Sequence, residues 1–499
     1  MMNYTSTRNN QISVNASVAI SRGISEDGGL FVPENMPWLS YNDLNILTDS
    51  DYTARASDIL DRFLGDFSTG EVLDCVSQAY TREHFETESI APLYELESGV
   101  YLLELWHGPT CAFKDMALQL LPHLLSVSMK KTAPEKTAVI LVATSGDTGK
   151  AALEGFRDVP GTRILVFYPE DGVSPMQKLQ MVTQEGNNVA VNAIRGNFDD
   201  AQTGVKKVFT DSAIKQELAD HGMVFSSANS INWGRLVPQI VYYISSYCDL
   251  IKNGRISAGE QINVVVPTGN FGNILAAYYA KKMGIPIGKL ICASNANNVL
   301  TEFLQTGVYN RNRPFYTTIS PSMDILISSN LERLLYDLSA CDDAKIRDYM
   351  DSLSSTGRYE VDDTIKKSLS EHFWAGFCDD SGTRSTIRSV YENNSVVIDP
   401  HTAVAVNVYQ QYREKTGDTS KTIIASTASA YKFAGEVLRS IKGENIPSDQ
   451  RALIGELAKL SFSNPPKQIA SLFDKPVRFK GVCNKDEMKK TIFSALGIN

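Results

Sequence analysis

Thr137-Ala-Val-Ile-Leu-Val-Ala-Thr-Ser-Gly-Asp-Thr-Gly149 is an apolar run of strand length that ends in a glycine-containing loop, with a helix expected from about Lys150. A strand that is apolar on both faces must be covered on both faces, which points to a parallel sheet between helical layers. The pattern recurs outward from this stretch. Arg163-Ile-Leu-Val-Phe-Tyr168 and Asn188-Val-Ala-Val191 read as strands, followed by a helix from Asp199 to about Leu218 and a short run at Met223-Val-Phe225. Trp233 to Tyr247 reads as a helix, and Gln261-Ile-Asn-Val-Val-Val-Pro267 as a strand feeding a second glycine loop and a helix from Ile274 to Met283. Lys289-Leu-Ile-Cys-Ala293 is a further strand. Residues 330–395 look mainly helical and charged, with weak sheet signals, and the sheet pattern resumes at Val396-Val-Ile398 and Lys421-Thr-Ile-Ile-Ala425. This alternation predicts an α/β protein of parallel sheets with flanking helices.

A chain of 499 residues is too long for one core. The pattern divides it into a small N-terminal domain over 1–95, an α/β domain over 96–235, a large α/β domain over 236–435 with a helical insertion at about 330–395, and a C-terminal helical segment over 436–499. The formal net charge of −9 argues against nucleic acid as a partner, because phosphate neutralisation needs a basic surface. The seven cysteines form no CxxC pair, which argues against structural zinc and suits a reducing cytoplasm. The N-terminus lacks a signal-peptide profile and no apolar run reaches ~18 residues, so a cytoplasmic protein with no membrane span and no metal is expected.

Three loops at strand ends carry chemistry, since ligands of open parallel sheets bind there. Pro267-Thr-Gly-Asn-Phe-Gly-Asn273 can present successive N–H groups to a phosphate, although the same residues also describe a plain glycine turn. Thr144-Ser-Gly-Asp-Thr-Gly149 offers Ser145, Asp147 and Thr148 to a small anion, or simply a helix cap. Ser426-Thr-Ala-Ser-Ala-Tyr-Lys432 places hydroxyls where one could meet a ring nitrogen, or again a cap. A fourth stretch, Glu104-Leu-Trp-His-Gly-Pro-Thr-Cys-Ala-Phe-Lys-Asp115, sets Lys114 at a helix start, where an ammonium is disfavoured and an imine-forming amine is helped. Pro122 predicts a kink or restart in that helix. A nucleophilic lysine, a phosphate cradle, an anion loop and a hydroxyl for a heteroaromatic nitrogen together match the needs of pyridoxal 5′-phosphate.

These motifs resemble threonine synthases of the longer type with an N-terminal extra domain, along nearly the whole chain. The resemblance rests on Tyr4-Thr-Ser-Thr-Arg8, Asp27-Gly-Gly-Leu-Phe-Val-Pro33, His107-Gly-Pro-Thr-Cys-Ala-Phe-Lys-Asp115, Ala143-Thr-Ser-Gly-Asp-Thr-Gly149 and Ser230-Ile-Asn-Trp-Gly-Arg235. Gly269 to Asn273, Ser320-Pro-Ser-Met-Asp324 and Asp399-Pro-His-Thr402 add to it. It implies the tryptophan-synthase-β-like fold (fold type II), in a monomer or homodimer that acts on O-phospho-L-homoserine to give L-threonine and phosphate. By the same resemblance Lys114 holds the cofactor and moves protons, Gly269, Asn270, Phe271, Gly272 and Asn273 hold its phosphate, and Thr427 meets its ring nitrogen. Ser145, Asp147, Thr148, Asn232 and Arg235 are then the substrate-binding candidates, with Arg235, beside Asn232 and Ser230, for the phosphate. His107, Asp324 and His401 read as structural first. One segment departs from the family pattern: Thr427-Ala-Ser-Ala-Tyr-Lys-Phe433 stands where Thr-Ala-His-Pro-Ala-Lys-Phe is expected. Ser429-Ala430 therefore leaves open a phospho-lyase that releases 2-oxobutyrate, and a non-catalytic metabolite-binding relative is the other alternative.

Overall fold

The computed structural model describes residues 2–144, 146–171 and 173–498, the side chains of Phe198 and Asp199 aside. Two sheets carry the architecture. The first has five parallel strands in the order Val482–Asn484, Val189–Arg195, Thr162–Pro169, Thr137–Ala143 and Met223–Ser226. The second has six, in the order Phe373–Phe377, Ile287–Ser294, Ile262–Pro267, Thr422–Ser426, Val100–Glu104 and Leu93–Glu97, parallel except for the last pair. Ile262–Pro267 and Thr422–Ser426 are buried at every position, which is why their sequences are continuously apolar rather than alternating. The 20-residue helix Trp233–Lys252 packs against helices of both regions and is buried along most of its length.

The N-terminal unit is a three-stranded antiparallel sheet, Asn9–Val14, Tyr4–Ser6 and Phe31–Pro33, followed by the helices Tyr41–Asp49, Tyr52–Phe63 and Thr69–Ala79. It is joined to the rest through one continuous core. The Tyr4 ring lies 5.3 Å from that of Trp233, and the Tyr4 hydroxyl donates to the Phe63 carbonyl at 2.7 Å. Arg8 forks onto Glu332, with Nε and Nη2 each 2.8 Å from a carboxylate oxygen.

The α/β class expected from the sequence is the one observed. The sheets do not follow the expected partition, however. Val100–Glu104, placed in the 96–235 unit, pairs in parallel with Thr422–Ser426, and the C-terminal segment, expected to be helical, contributes the edge strand Val482–Asn484. Val396-Val-Ile398 is not a strand. It lies between Ser395, whose φ is +58°, and Asp399, the N-cap of the helix Pro400–Thr416, and its side chains pack into the core formed by that helix and the six-stranded sheet, with Ile398 2% exposed. The edge position falls instead to Phe373–Phe377, inside the stretch read as mainly helical, where a helix runs directly into a strand containing Ala and Gly. The single helix expected over 199–218 is two, because Asp211 ends Phe198–Thr210 and caps Ser212–Asp220 by accepting from the Ala213 and Ile214 N–H groups.

Candidate active site

The turn before Lys114 is built around the buried carboxylate of Asp115. It accepts from the Thr110 N–H at 2.8 Å and from the Thr110 hydroxyl at 2.6 Å. Gly108 is required by this closeness, since a Cβ there would meet the Asp115 Cβ at 2.5 Å. Burial pushes the Asp115 carboxyl up to about 6, against the pull of the Thr110 donors. The turn then pairs with the strand-end loop, as the Phe113 N–H donates to the Thr427 carbonyl at 2.8 Å and the Ser429 N–H to the Cys111 carbonyl at 3.1 Å. Lys114 and Thr427 are thereby brought side by side from positions far apart in the chain. Lys114 immediately precedes the four-residue helix Asp115–Leu118, and the chain restarts as Leu121–Thr132 with Pro122 in its first turn, so the expected kink is a full break.

The Lys114 Nζ is 3.2 Å from the Ser322 hydroxyl and 3.6 Å from Asp147 Oδ2, and the residue is 8% exposed. Burial pushes its amine down to about 8. Asp147 pulls it back up, and the charges of Lys432 and Arg235 add to the lowering. Asp147 was expected at a substrate anion, but its oxygens are already committed to cations and donors. Lys432 Nζ is 2.8 Å from Oδ1, the Gln177 amide donates to Oδ1 at 3.0 Å, and the Ser322 hydroxyl donates to Oδ2 at 3.3 Å. Burial opposes its charge, yet these neighbours hold the carboxyl well below the usual range. Asp147 is therefore the counter-ion of two lysines, and an anion cannot bind there.

The rest of its loop does present donors. Asp147–Gly155 starts at Gly146 with no side-chain cap, and Thr148 is half-buried on its first turn. Thr144 is spent internally, its hydroxyl accepting from the N–H groups of Gly146 and Gly149. Ser145 lies outside the described residues.

The second glycine loop has the features of a phosphate seat. Gly272–Lys282 begins at Phe271, whose φ is +63°, without a side-chain cap. Its first N–H groups are thus free for an anion. The Phe271 side chain turns into the core, while Asn270 is exposed and its carbonyl accepts from the backbone and side chain of Asn330. Asn273 Oδ1 accepts from the hydroxyls of Tyr242 at 2.8 Å and Tyr243 at 2.5 Å, and the buried Nδ2 has no hydrogen-bond partner among the described residues. A buried donor without a partner is costly, and a phosphate oxygen is an acceptor that would satisfy it. A Cβ on Gly269 would lie 2.7 Å from the Ser322 carbonyl, so this loop, Ser322 and Lys114 abut one another. These residues fit a phosphate-bearing cofactor joined to Lys114.

Arg235 is buried, donates to the Ala228 carbonyl at 2.8 Å, and is pushed down to about 10 by burial, with no carboxylate among the described residues to offset it. Asn232 differs. Its amide is consumed by the Gly234 N–H and by the carbonyls of Ile20 and Ser227, so it caps the helix Trp233–Lys252 and leaves nothing for a ligand. His107 is held by Glu104 at 2.8 Å and stacks on Trp106. Asp324 gathers Asn295, Asn297 and Thr318, and His401 bonds Asp399 on one side and the Ser322 N–H on the other. Ser322, Gln177 and Lys432 were assigned no role from the sequence. Ser322 stands inside a motif that carried the resemblance, and Lys432 keeps the expected lysine within the segment that departs from it; that was the available signal.

This geometry suits a pyridoxal-phosphate site, and residues 85–365 match the family model described as pyridoxal-phosphate dependent enzyme. Residues 3–80 and 402–492 match the models described as threonine synthase N terminus and threonine synthase, C-terminal. The chain belongs to the threonine synthase family. It is 36% identical over 490 residues to the threonine synthase of Saccharomyces cerevisiae, covering 92% of this chain and 93% of the relative. It is 41% identical over 452 residues to threonine synthase-like 1 of Homo sapiens, covering 88% of this chain but spanning only 60% of that relative's length. The crystal structure of PLP-bound threonine synthase from Brucella melitensis superposes with a TM-score of 0.88 at 33% identity, covering 99% of each chain.

Proposed function

We propose that the protein is a threonine synthase that converts O-phospho-L-homoserine and water to L-threonine and phosphate, with pyridoxal 5′-phosphate carried on Lys114 as a Schiff base. The observation that carries this reading is Arg235, a buried guanidinium with no carboxylate partner among the described residues, close enough to Lys114 to act on its charge. In an acidic chain such a group is a seat for an incoming anion, and the planar fork of Arg suits a phosphate ester. The cofactor, when bound, withdraws electrons from the substrate carbons and so permits proton removal and loss of the γ-phosphate.

Everything else is assigned to the chain itself. The Lys114 Nζ, whose charged form burial disfavours, accepts the Cα proton and returns protons to later positions, while Asp147 and the Ser322 hydroxyl hold the ammonium in between. The uncapped start of Asp147–Gly155, with Thr148 and Ser145, receives the substrate carboxylate. Gly269 to Asn273 would hold the cofactor phosphate, and the Thr427 hydroxyl would meet the ring nitrogen. A hydroxyl there, rather than a carboxylate, leaves the ring less electron-withdrawing. The described cysteines are all free, which suits a cytoplasmic site for a monomer or homodimer. No helix of the described residues is long and apolar enough to cross a membrane.

Product analysis tests the reading. Incubation of the protein and pyridoxal phosphate with O-phospho-L-homoserine is expected to yield threonine and phosphate in equal amounts. Release of 2-oxobutyrate without threonine would show a phospho-lyase, and no turnover with retained cofactor binding would show a metabolite-binding relative.

A further inference from the structure

Behind Lys114 lies a second lysine that the reaction does not use. Lys432 sits on the short turn Ala430–Phe433, and its side chain is wholly buried. Its Nζ approaches Asp147 Oδ1 to 2.8 Å and makes no other polar contact among the described residues, so that ion pair alone offsets its charge. The segment that departs from the family pattern holds this turn by its own contacts. The Ser429 N–H donates to the Cys111 carbonyl, the Lys432 N–H to the Ser429 carbonyl, and the Tyr431 hydroxyl to the Ser463 carbonyl at 2.9 Å. A buried ammonium is expensive, and one carboxylate serving two of them neutralises neither fully.

We propose that Lys432 is a positioning residue for the cofactor lysine: by claiming one oxygen of Asp147 it divides that carboxylate, so that the amine of Lys114 is only partly neutralised. The inference rests on the reading that Lys114 carries the cofactor. The charged groups around the pair are few. Lys114 faces Asp147 from the helix Asp147–Gly155, Lys432 from its turn and Arg235 from Trp233–Lys252, with the neutral Ser322 alongside. Lys432 faces Asp147, and beyond it Asp115 and Cys111 on the lysine turn, where both Asp115 oxygens are taken by Thr110. Asp147 is thus the carboxylate shared by both lysines, Lys114 and Lys432, while Arg235 adds a further positive charge near Lys114. The Lys114 amine is pushed down to about 8, by burial first, and Lys432 adds to the lowering while Asp147 opposes it.

The test is a spectral titration of the full-length protein loaded with pyridoxal phosphate, following the absorbance of the Lys114-linked cofactor from about pH 6 to about pH 11. Lys432→Met removes the competing cation and is expected to move the midpoint upward by about one pH unit, whereas Asp147→Asn is expected to move it downward. Lys432→Arg keeps the charge and is expected to restore the wild-type midpoint. If Lys432→Met does not fold, Lys432→Gln, which retains a donor for Asp147 without the charge, must show the same upward shift. An unmoved midpoint in either neutral variant, or a shift in the same direction as Asp147→Asn, overturns the proposal. A merely space-filling Lys432 would give that result, with stability lost and the midpoint unchanged. The absence of any cofactor band in the wild-type protein would instead defeat the assignment of Lys114, so the two failures are distinguishable.

Discussion

His401 holds Ser322 by its backbone: the Ser322 N–H donates to His401 Nε2 at 3.1 Å, while His401 Nδ1 lies 2.7 Å from Asp399 Oδ1. The imidazole must carry its proton on Nδ1 to accept at Nε2. A residue far along the chain thus fixes the loop whose hydroxyl touches Lys114 and whose carbonyl closes on Gly269. Substitution His401→Ala is expected to cost about 1–3 kcal/mol of stability by leaving a buried N–H and a buried carboxylate short of partners. The loosened Ser322 loop should lower kcat/KM by about tenfold or more, because small misplacements at a reacting centre are costly. Thermal denaturation beside steady-state kinetics checks both parts; full activity in a destabilised variant would remove His401 from any positioning role.

Arg235→Lys should raise the KM for O-phospho-L-homoserine by about 10- to 100-fold, corresponding to roughly 1.5–3 kcal/mol for a charged hydrogen bond to phosphate. Cofactor affinity, measured by absorbance titration, should stay within about twofold. An unchanged KM would exclude the residue from the substrate's seat.

Gly269→Ala would set a methyl group 2.7 Å from the Ser322 carbonyl, too close without a shift of backbone. We expect pyridoxal phosphate to bind about tenfold or more weakly, equivalent to roughly 1–3 kcal/mol of overpacking strain. Equilibrium dialysis against the cofactor measures this, and wild-type affinity would show that the loop yields freely.

The lowered amine of Lys114 has a signature in the cofactor-free protein. The unfolded chain protonates this group near 10.5 and the native protein near 8, so between those values the unfolded state binds more protons and stability rises with pH. The cost is present in full below about pH 8 and is gone above the unfolded value, a difference of about 3 kcal/mol. Asp115 runs the other way: raised from 3.8 to about 6, it gives a cost that appears as pH climbs through that interval. Chemical denaturation of the wild type and of Lys114→Met should show a stability gap in favour of the variant that closes as pH rises from about 8 to about 10.5. A pH-independent gap would mean that Lys114 titrates normally.

Much of this was legible in local sequence. Strands buried on both faces announce themselves as continuous apolar runs, so Thr137–Ala143 and Ile262–Pro267 could be read within a residue. Glycine loops between such strands and helices marked the anion seats. What escaped was set by tertiary partners. Asp147 was read as one more polar group in a binding loop, because nothing near it in sequence reveals that Lys432 lies 2.8 Å away. Asn232 looked like a ligand donor, but its cap and two distant carbonyls claim every atom of the amide. Val396-Val-Ile398 was apolar because it packs into the core rather than because it joins a sheet, a distinction that periodicity over three residues cannot make.

The strand Thr422–Ser426 is inserted between Ile262–Pro267 and Val100–Glu104, and it alone bridges them. During synthesis the six-stranded sheet therefore remains in two halves until that strand has emerged. Lys114 is made before that strand, and it acquires Thr427, Lys432 and the joined sheet only once the strand has been made. A nascent or prematurely terminated chain holds an exposed, unguarded amine and two open strand edges, and is a target for chaperones and proteases rather than a partial enzyme.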